Sequence, residues 1–145
     1  MAVRTQLFAG THEQALARAE ALEAGQEPVS APHVEVGELS PVDLEVLGEI
    51  TSRHVRFGTG DLEVGEVDLD HETLYALPAF LCEVLVELGA SEDLDLPAEV
   101  AAEWAASEEM SVPGRDLLPL LTSVVELVTN AQDSGDDVYV WVAED

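Results

Sequence analysis

The stretch DSGDDVYVWVAED, residues 133–145, decides the fold because it predicts a buried strand. Its five strongly β-forming residues, 138–142, stand between a cluster of acids and two further acids. Successive side chains of a strand point to opposite faces, so the three valines share one face, and Tyr139 and Trp141 share the other. Both faces are apolar, which is typical of an interior strand. We therefore expect strand 137–143 to lie inside a sheet.

The acids around this strand have two interpretations, a calcium site or a polar boundary. An EF-hand loop carries acids at its first, third and fifth positions, a glycine at the sixth and a glutamate at the twelfth. The segment DSGDD places its glycine third and has no matching glutamate. Charges that flank an aggregation-prone strand act as gatekeepers against association. We interpret these acids as gatekeepers: Asp133, Asp136, Asp137, Glu144 and Asp145.

The chain upstream of this strand alternates strand and helix patterns, and we treat residues 1–145 as one domain. Apolar alternation predicts strands over 3–8, 33–39 and 62–69. Helix starts are marked by Thr11 with Gln14, a capping box, and by Ser40 with a proline after it.

Three more helices are expected in the second half of the chain. Asp70 is a candidate cap for a long helix over 71–88, which Pro78 should kink or divide. A short helix should open at Pro97, and a last helix should occupy much of 113–132. The result is an α+β domain with about five helices packed on a small mixed sheet of three to four strands.

Acidity is the conspicuous feature of the composition. The chain has 31 acids against five arginines and no lysine, a formal net charge of −26, while 47% of its residues are apolar. Residues 1–56 have a balance of −5, from 9 acids and 4 arginines; residues 57–145 have −21, from 22 acids and Arg115. Direct binding to nucleic acid or to an anionic membrane surface would oppose this charge.

Compartment signals favour the cytoplasm. The single Cys82 cannot form an intramolecular disulfide, and its apolar surroundings indicate a buried, structural thiol. The N-terminus lacks the apolar region of a signal peptide, and no stretch approaches the roughly 20 apolar residues of a membrane span.

Several glutamates form like-charged pairs four residues apart on predicted helices. Such pairs repel by a few tenths of a kcal/mol, and no lysine stands one turn away to balance them. A cationic partner or a salty medium would relieve the repulsion. The pairs are Glu45 with Glu49, Glu83 with Glu87, and Glu99 with Glu103. The candidate partner-binding surface comprises Glu83, Glu87, Glu99, Glu103, Glu108 and Glu109.

Two other clusters are weaker candidates for a site. Asp68, Asp70, His71 and Glu72 could be half of a metal or general-base site, but a helix cap with acids near a positive helix end explains them more simply. The basic segment SRHVR, 52–56, could accept a phosphate, but an internal acid is the expected partner. With no HExxH motif and no paired cysteines, we expect neither a metal nor a cofactor.

Two hypotheses from different classes follow, with an enzyme as a weaker third. The first is a non-enzymatic interaction protein that docks a basic partner, as bacterial immunity proteins, antitoxins and nucleic-acid-mimicking inhibitors do; the likeness is one of charge and size. The second is a cytoplasmic protein whose acids only solvate its surface. An enzyme would centre on the cluster from Asp68 to Glu72.

Overall fold

The C-terminal strand lies inside a sheet, as its two apolar faces predict. The computed structural model describes residues 3–26, 33–37, 39–56, 60–62, 64–66, 74–108, 110 and 116–144. The strands are β1 Val3–Gly10, β2 His33–Gly37, β3 Gly65–Glu66, β4 Leu74–Ala76 and β5 Asp137–Glu144. The helices are α1 His12–Glu23, α2 Pro41–Val55, α3 Ala79–Gly89, α4 Leu96–Ala105 and α5 Leu118–Ser134.

The sheet confirms the α+β prediction. Its strand order is β2-β1-β5-β4-β3, so β5 has a neighbour on each side. Four strands have three or more residues, and β3 adds a two-residue edge. Every pairing is antiparallel, so the expectation of a mixed sheet is wrong in that detail. The reason is that β5, the last strand, inserts between β1 and β4 and runs against both.

The two faces of the sheet bury different side chains. Val138 and Val140 belong to the large core, which they share with α2, α3, α4 and α5. Tyr139 and Trp141 belong to a smaller core on the opposite face, where Phe8 stacks on Tyr139 with 6.0 Å between ring centroids. Helix α1 supplies Ala15 and Ala19 to that smaller core. The sheet is therefore covered on both faces, with one helix on one side and the helical layer on the other.

The first two helices begin where the sequence predicts. The Thr11 side chain accepts from the Gln14 amide, and the Gln14 side chain accepts from the Thr11 amide. Ser40 and Asp43 make the same reciprocal pair at the start of α2, with Pro41 as first helical residue. Both caps satisfy amide groups that the first turn leaves without helical partners.

The expected long helix over 71–88 is wrong at its start. Residues 74–76 form strand β4 instead, and the helix begins at Ala79. Pro78 lacks an amide hydrogen and disfavours helical backbone in the residue before it, so it caps α3 from outside rather than bending it. Leu74 and Tyr75 pair with Trp141 and Val140 of β5, a contact that the local sequence pattern does not reveal.

The remaining expectations have mixed outcomes. Pro97 lies in the first turn of α4, as predicted. The last helix, expected over much of 113–132, begins at Leu118 with Pro119 in its first turn; residues 116–117 are not helical, and residues 113–115 lie outside the described part. Of the strand expected over 62–69, the structure shows only Gly65–Glu66, while residues 63 and 67–69 lie outside the described part. None of the helices in the described ranges has both the length and the apolar character that crossing a membrane requires.

Candidate functional site

The segment DSGDD is a helix end. Ser134 is the last residue of α5, and Gly135 follows with φ 76°, a left-handed conformation that glycine adopts without strain. Asp137 then opens β5. Within the described residues, no group of three or more histidine, cysteine or acidic side chains could hold a metal ion. The segment therefore joins the end of a helix to the start of a strand, and the gatekeeper role of these acids stays a prediction.

The glutamates of α3 and α4 lie mostly in solvent. Glu83, Glu87, Glu99 and Glu108 are exposed. Glu109 lies outside the described residues, as do the four members of the weaker metal candidate: Asp68, Asp70, His71 and Glu72.

Glu103 differs from the other candidate acids because it has partners on α2. Its carboxylate accepts from Arg53 Nη2 at 2.6 Å, and its second oxygen lies 3.2 Å from His54 Nε2. Desolvation alone would raise the pKa of Glu103, but the hydrogen bonds from His54 and Arg53 and their charges outweigh it and lower the pKa. Glu103 is thus the internal partner that we expected for the basic segment 52–56. The positive charge of Arg53 relieves part of the repulsion between Glu99 and Glu103.

The Glu45–Glu49 pair of α2 also has an internal contact. Glu45 Oε2 accepts from the backbone amide of Val64 at 3.0 Å, which ties the 60–66 segment to α2. The pair borders a depression of about 490 Å³ with Val42, Val46 and Leu62. Arg53 and Arg56 lie at the C-terminal end of the same helix, so the surface of α2 carries both signs of charge.

The groove between α3 and α5 has only acids as its charged side chains. We call it the α3–α5 groove: a depression of about 440 Å³ lined by residues 86, 88–91, 93, 94 and 97 on one side and by residues of α5 from 121 to 130 on the other. Its apolar lining residues include Val86, Leu94, Pro97 and Val125, and its two charged side chains are Asp93 and Glu126.

A second, smaller depression continues along the same two helices. It measures about 180 Å³ and lies between the start of α3 and the end of α5. Its charged side chains are Glu83, Asp136 and Asp137. The first residues of α3 therefore lie beside the last residues of α5, and the last residues of α3 lie beside the first half of α5 at the larger groove. The two helices run in opposite directions.

Cys82 lies in this second depression and is half-buried rather than fully buried. Desolvation raises the pKa of its thiol to about 11, and the negative charges of Asp137 and Glu83 add to the effect. A thiol with so high a pKa is a poor nucleophile at neutral pH. Its chemistry agrees with the structural role that the sequence predicts.

Sequence reasoning missed the groove and the acids that α5 and the α3–α4 connection contribute to it. One signal was present. Leu94 interrupts the acidic run EDLD, 92–95, and its side chain is 89% exposed. Leu94 therefore adds exposed apolar area to the rim of the groove.

Comparison with known proteins found no match: no family model fits the chain, and neither a curated protein nor a solved structure is similar to it. The function of the chain has to be argued from its own residues and their geometry.

Proposed function

We propose that this protein is a non-enzymatic interaction module whose acidic helical layer docks a basic protein partner. Inhibition of that partner, in the manner of an immunity protein, an antitoxin or a nucleic-acid mimic, is the role that suits such a surface. A concentrated negative field raises the association rate of a cationic protein and disfavours anionic ones.

One observation carries the proposal. Residues 79–108, which span α3 to α4, contain no arginine or lysine, and neither does α5. Their exposed acids are Glu83, Glu87, Glu92, Asp93, Asp95, Glu99, Glu108, Glu126 and Asp133. No cation within these elements balances them.

The described arginines have other contacts or lie on other elements. Arg18 is buried, donates from Nε to Gln6 at 2.9 Å and lies 5.3 Å above the Phe8 ring. Arg53 pairs with Glu103, and Arg56 is the C-cap of α2. Among the described residues, no arginine therefore lies on α3 or α5 to balance these acids.

The test compares two triple variants with equal net charge. The first neutralises Glu83→Gln, Glu87→Gln and Glu126→Gln on α3 and α5; the second neutralises Glu13→Gln, Glu20→Gln and Glu23→Gln on α1, which covers the opposite face of the sheet. Each is used to capture proteins from a native lysate at low salt and again at about 1 M salt, where the Debye length falls to about 3 Å.

We expect the wild type and the α1 variant to enrich the same basic protein at low salt and to lose it at high salt. The α3/α5 variant should capture much less of it. If no basic protein is enriched at low salt, or if both variants lose it equally, the docking function is wrong. The acids then only solvate the surface.

A further inference from the structure

We propose that the α3–α5 groove binds the apolar side of a cationic amphipathic helix presented by the partner, with Leu94 as an apolar contact on the rim. This inference rests on the proposed function, since it names where the basic partner docks and which chemistry it presents there. It adds that apolar contact, and not charge alone, holds the partner.

The first argument is the apolar character of the groove. Leu88 and Leu121 are buried at its base, and half-buried Val86 and Val125 form its sides. A Cβ on Gly89 would lie 2.6 Å from Val125 Cγ1, so the glycine lets α3 approach α5 closely at this point. The groove is therefore a fixed depression between two packed helices, and its shape does not depend on a loop alone.

The second argument is the exposure of Leu94. In the described ranges two large apolar side chains are exposed, Val42 at 49% and Leu94 at 89%. Leu94 lines the groove, whereas Val42 lies on α2 beside a different depression. Covering an exposed leucine removes apolar area from water, which contributes favourably to binding. A ligand confined to the groove would leave much of this rim in water, whereas a helix lying across it would cover it.

The third argument is charge. Asp93 and Glu126 are the charged side chains of the groove, one on each side, and Glu83 and Glu87 continue the acids along α3. Among the described residues, the carboxylates of Glu83, Glu87 and Glu126 have no hydrogen bond or ion pair. A partner helix with basic side chains beside its apolar stripe would match this arrangement on both flanks.

The fourth argument is length. Helix α3 has 11 residues, which corresponds to about 16 Å at the rise of an α-helix. The two depressions follow one another between α3 and α5, so the seam between these helices extends along most of α3, apolar at the larger groove and acidic at the smaller depression. An amphipathic helix binds such a seam with anchors at positions i, i+3, i+4 and i+7, a spacing of about two turns.

The experiment uses three synthetic helical peptides as probes, measured with the full chain by isothermal titration calorimetry at low salt. The first carries leucines at i, i+3, i+4 and i+7 and lysines elsewhere. The second replaces the leucines by glutamine, and the third replaces the lysines by glutamate. We expect the first peptide to bind at least about tenfold more tightly than either of the others.

The protein variants come as two matched pairs. Leu94→Gln removes the rim contact, and Val42→Gln removes the other exposed apolar side chain as its control. Asp93→Asn with Glu126→Gln removes the groove charges, and Glu13→Gln with Glu20→Gln is the control with equal net charge. Both groove variants should weaken binding of the first peptide about tenfold and both controls less than about twofold. Thermal melting of Leu94→Gln should be unchanged because that side chain is in solvent.

The outcomes separate the two proposals. Equal binding of the lysine peptides with and without leucines would overturn the groove and leave acidic docking in place. Equal binding of the glutamate peptide would contradict acidic docking itself. No binding by any peptide, or equal effects of groove and control variants, would overturn the groove. A dimer in sedimentation velocity that Leu94→Gln dissociates would assign the groove to a second copy of the chain and overturn the partner helix.

Discussion

The two tryptophans differ in what their indole N–H groups contact. Trp104 is fully buried, and its Nε1 donates to the Asp43 carbonyl oxygen at 2.9 Å, which fastens α4 to the start of α2. Trp141 is 6% exposed, and its Nε1 has no hydrogen-bond partner among the described residues. Removing a donor that serves a buried acceptor is costly, whereas removing an unpaired buried donor is not.

Replacing each tryptophan by phenylalanine should separate these roles. Both substitutions remove similar apolar volume, but only Trp104→Phe removes an indole hydrogen bond, the one to the Asp43 carbonyl. We expect Trp104→Phe to lower the free energy of unfolding by about 0.5–1.5 kcal/mol more than Trp141→Phe does, the net contribution of one hydrogen bond. Urea unfolding followed by circular dichroism measures the difference. Equal losses would mean that the Trp104 hydrogen bond contributes nothing.

Cys82 should react slowly with alkylating reagents. With its pKa raised to about 11, its thiolate fraction at pH 8 is on the order of 100-fold below that of an ordinary thiol. We expect iodoacetamide to modify the folded protein correspondingly slowly, and Glu83→Gln to speed the reaction by removing a nearby negative charge. The urea-unfolded chain is the control. Equal rates in the folded and unfolded chains would contradict the raised pKa.

The same thiol should make stability depend on pH in the alkaline range. A group whose pKa is raised by folding stabilises the folded state below its unfolded pKa, about 8.5, and loses that contribution as pH rises through about 11. The free energy of unfolding should therefore fall between these values. Cys82→Ser should reduce the fall, and an identical pH profile for this variant would exclude the thiol as its cause.

At the scale of elements, the sequence predicts best what neighbouring residues decide. Ser40, Pro41 and Asp43 lie within one turn, and together they specify the start of α2 without help from the rest of the chain. The prediction for residues 74–76 was wrong because strand β4 forms only by pairing with β5: Leu74 pairs with Trp141, 67 positions later. The leucines across 74–88 have helical spacing, but the same residues are buried equally well when a short strand and Pro78 precede a shorter helix.

The candidate site was predictable to the same extent. The spacing of Glu83 and Glu87 places both on one helical face, and the structure shows both exposed. No local pattern reveals that Glu103 meets Arg53 and His54 on a helix some fifty residues earlier. The groove is likewise a product of packing, since α3 and α5 are far apart in the chain.

The contact between α2 and α4 gives a prediction at this scale. A double-mutant cycle with Arg53→Met and Glu103→Gln should yield a coupling free energy of about 0.2–1 kcal/mol at neutral pH, the usual range for an exposed ion pair. Glu99 is the control because it lies one turn away on α4, so Arg53→Met with Glu99→Gln should show no coupling. Urea unfolding of each variant supplies the values.

This coupling should also depend on pH with a fixed sign. Because folding lowers the pKa of Glu103, the contribution of its carboxylate is present above the unfolded pKa, about 4.3, and is lost as pH falls through the lower folded value. The cycle repeated in acid should therefore give a smaller coupling. A coupling that survives full protonation of Glu103 would have to come from packing and not from charge.

At the scale of the whole molecule, positive and negative side chains are distributed unevenly among the elements. The described arginines belong to β1, α1 and the C-terminal end of α2, whereas α3 and α5 have none. The acids of α3 and α5 therefore repel one another with no cation on their own helices to balance them. The acids that repel one another therefore belong to the surface that we propose for docking.

Added salt should therefore stabilise the isolated protein, and α3 and α5 should contribute most of the effect. At −26 the folded state is opposed by self-repulsion, which salt screens as the Debye length falls from about 10 Å at 0.1 M to about 3 Å at 1 M. We expect the melting temperature to rise by several degrees, since about 1 kcal/mol corresponds to a few degrees for a domain of this size.

The two triple variants show which part of the molecule produces that effect, because each removes three negative charges from a different set of helices. If repulsion is concentrated along α3 and α5, neutralising Glu83, Glu87 and Glu126 should raise the melting temperature at low salt and flatten its dependence on salt. Neutralising Glu13, Glu20 and Glu23 on α1 should do so less. Differential scanning fluorimetry in increasing KCl measures both slopes. Equal slopes would show that the field is spread evenly over the molecule, and a wild-type melting temperature indifferent to salt would show that the acids do not oppose folding.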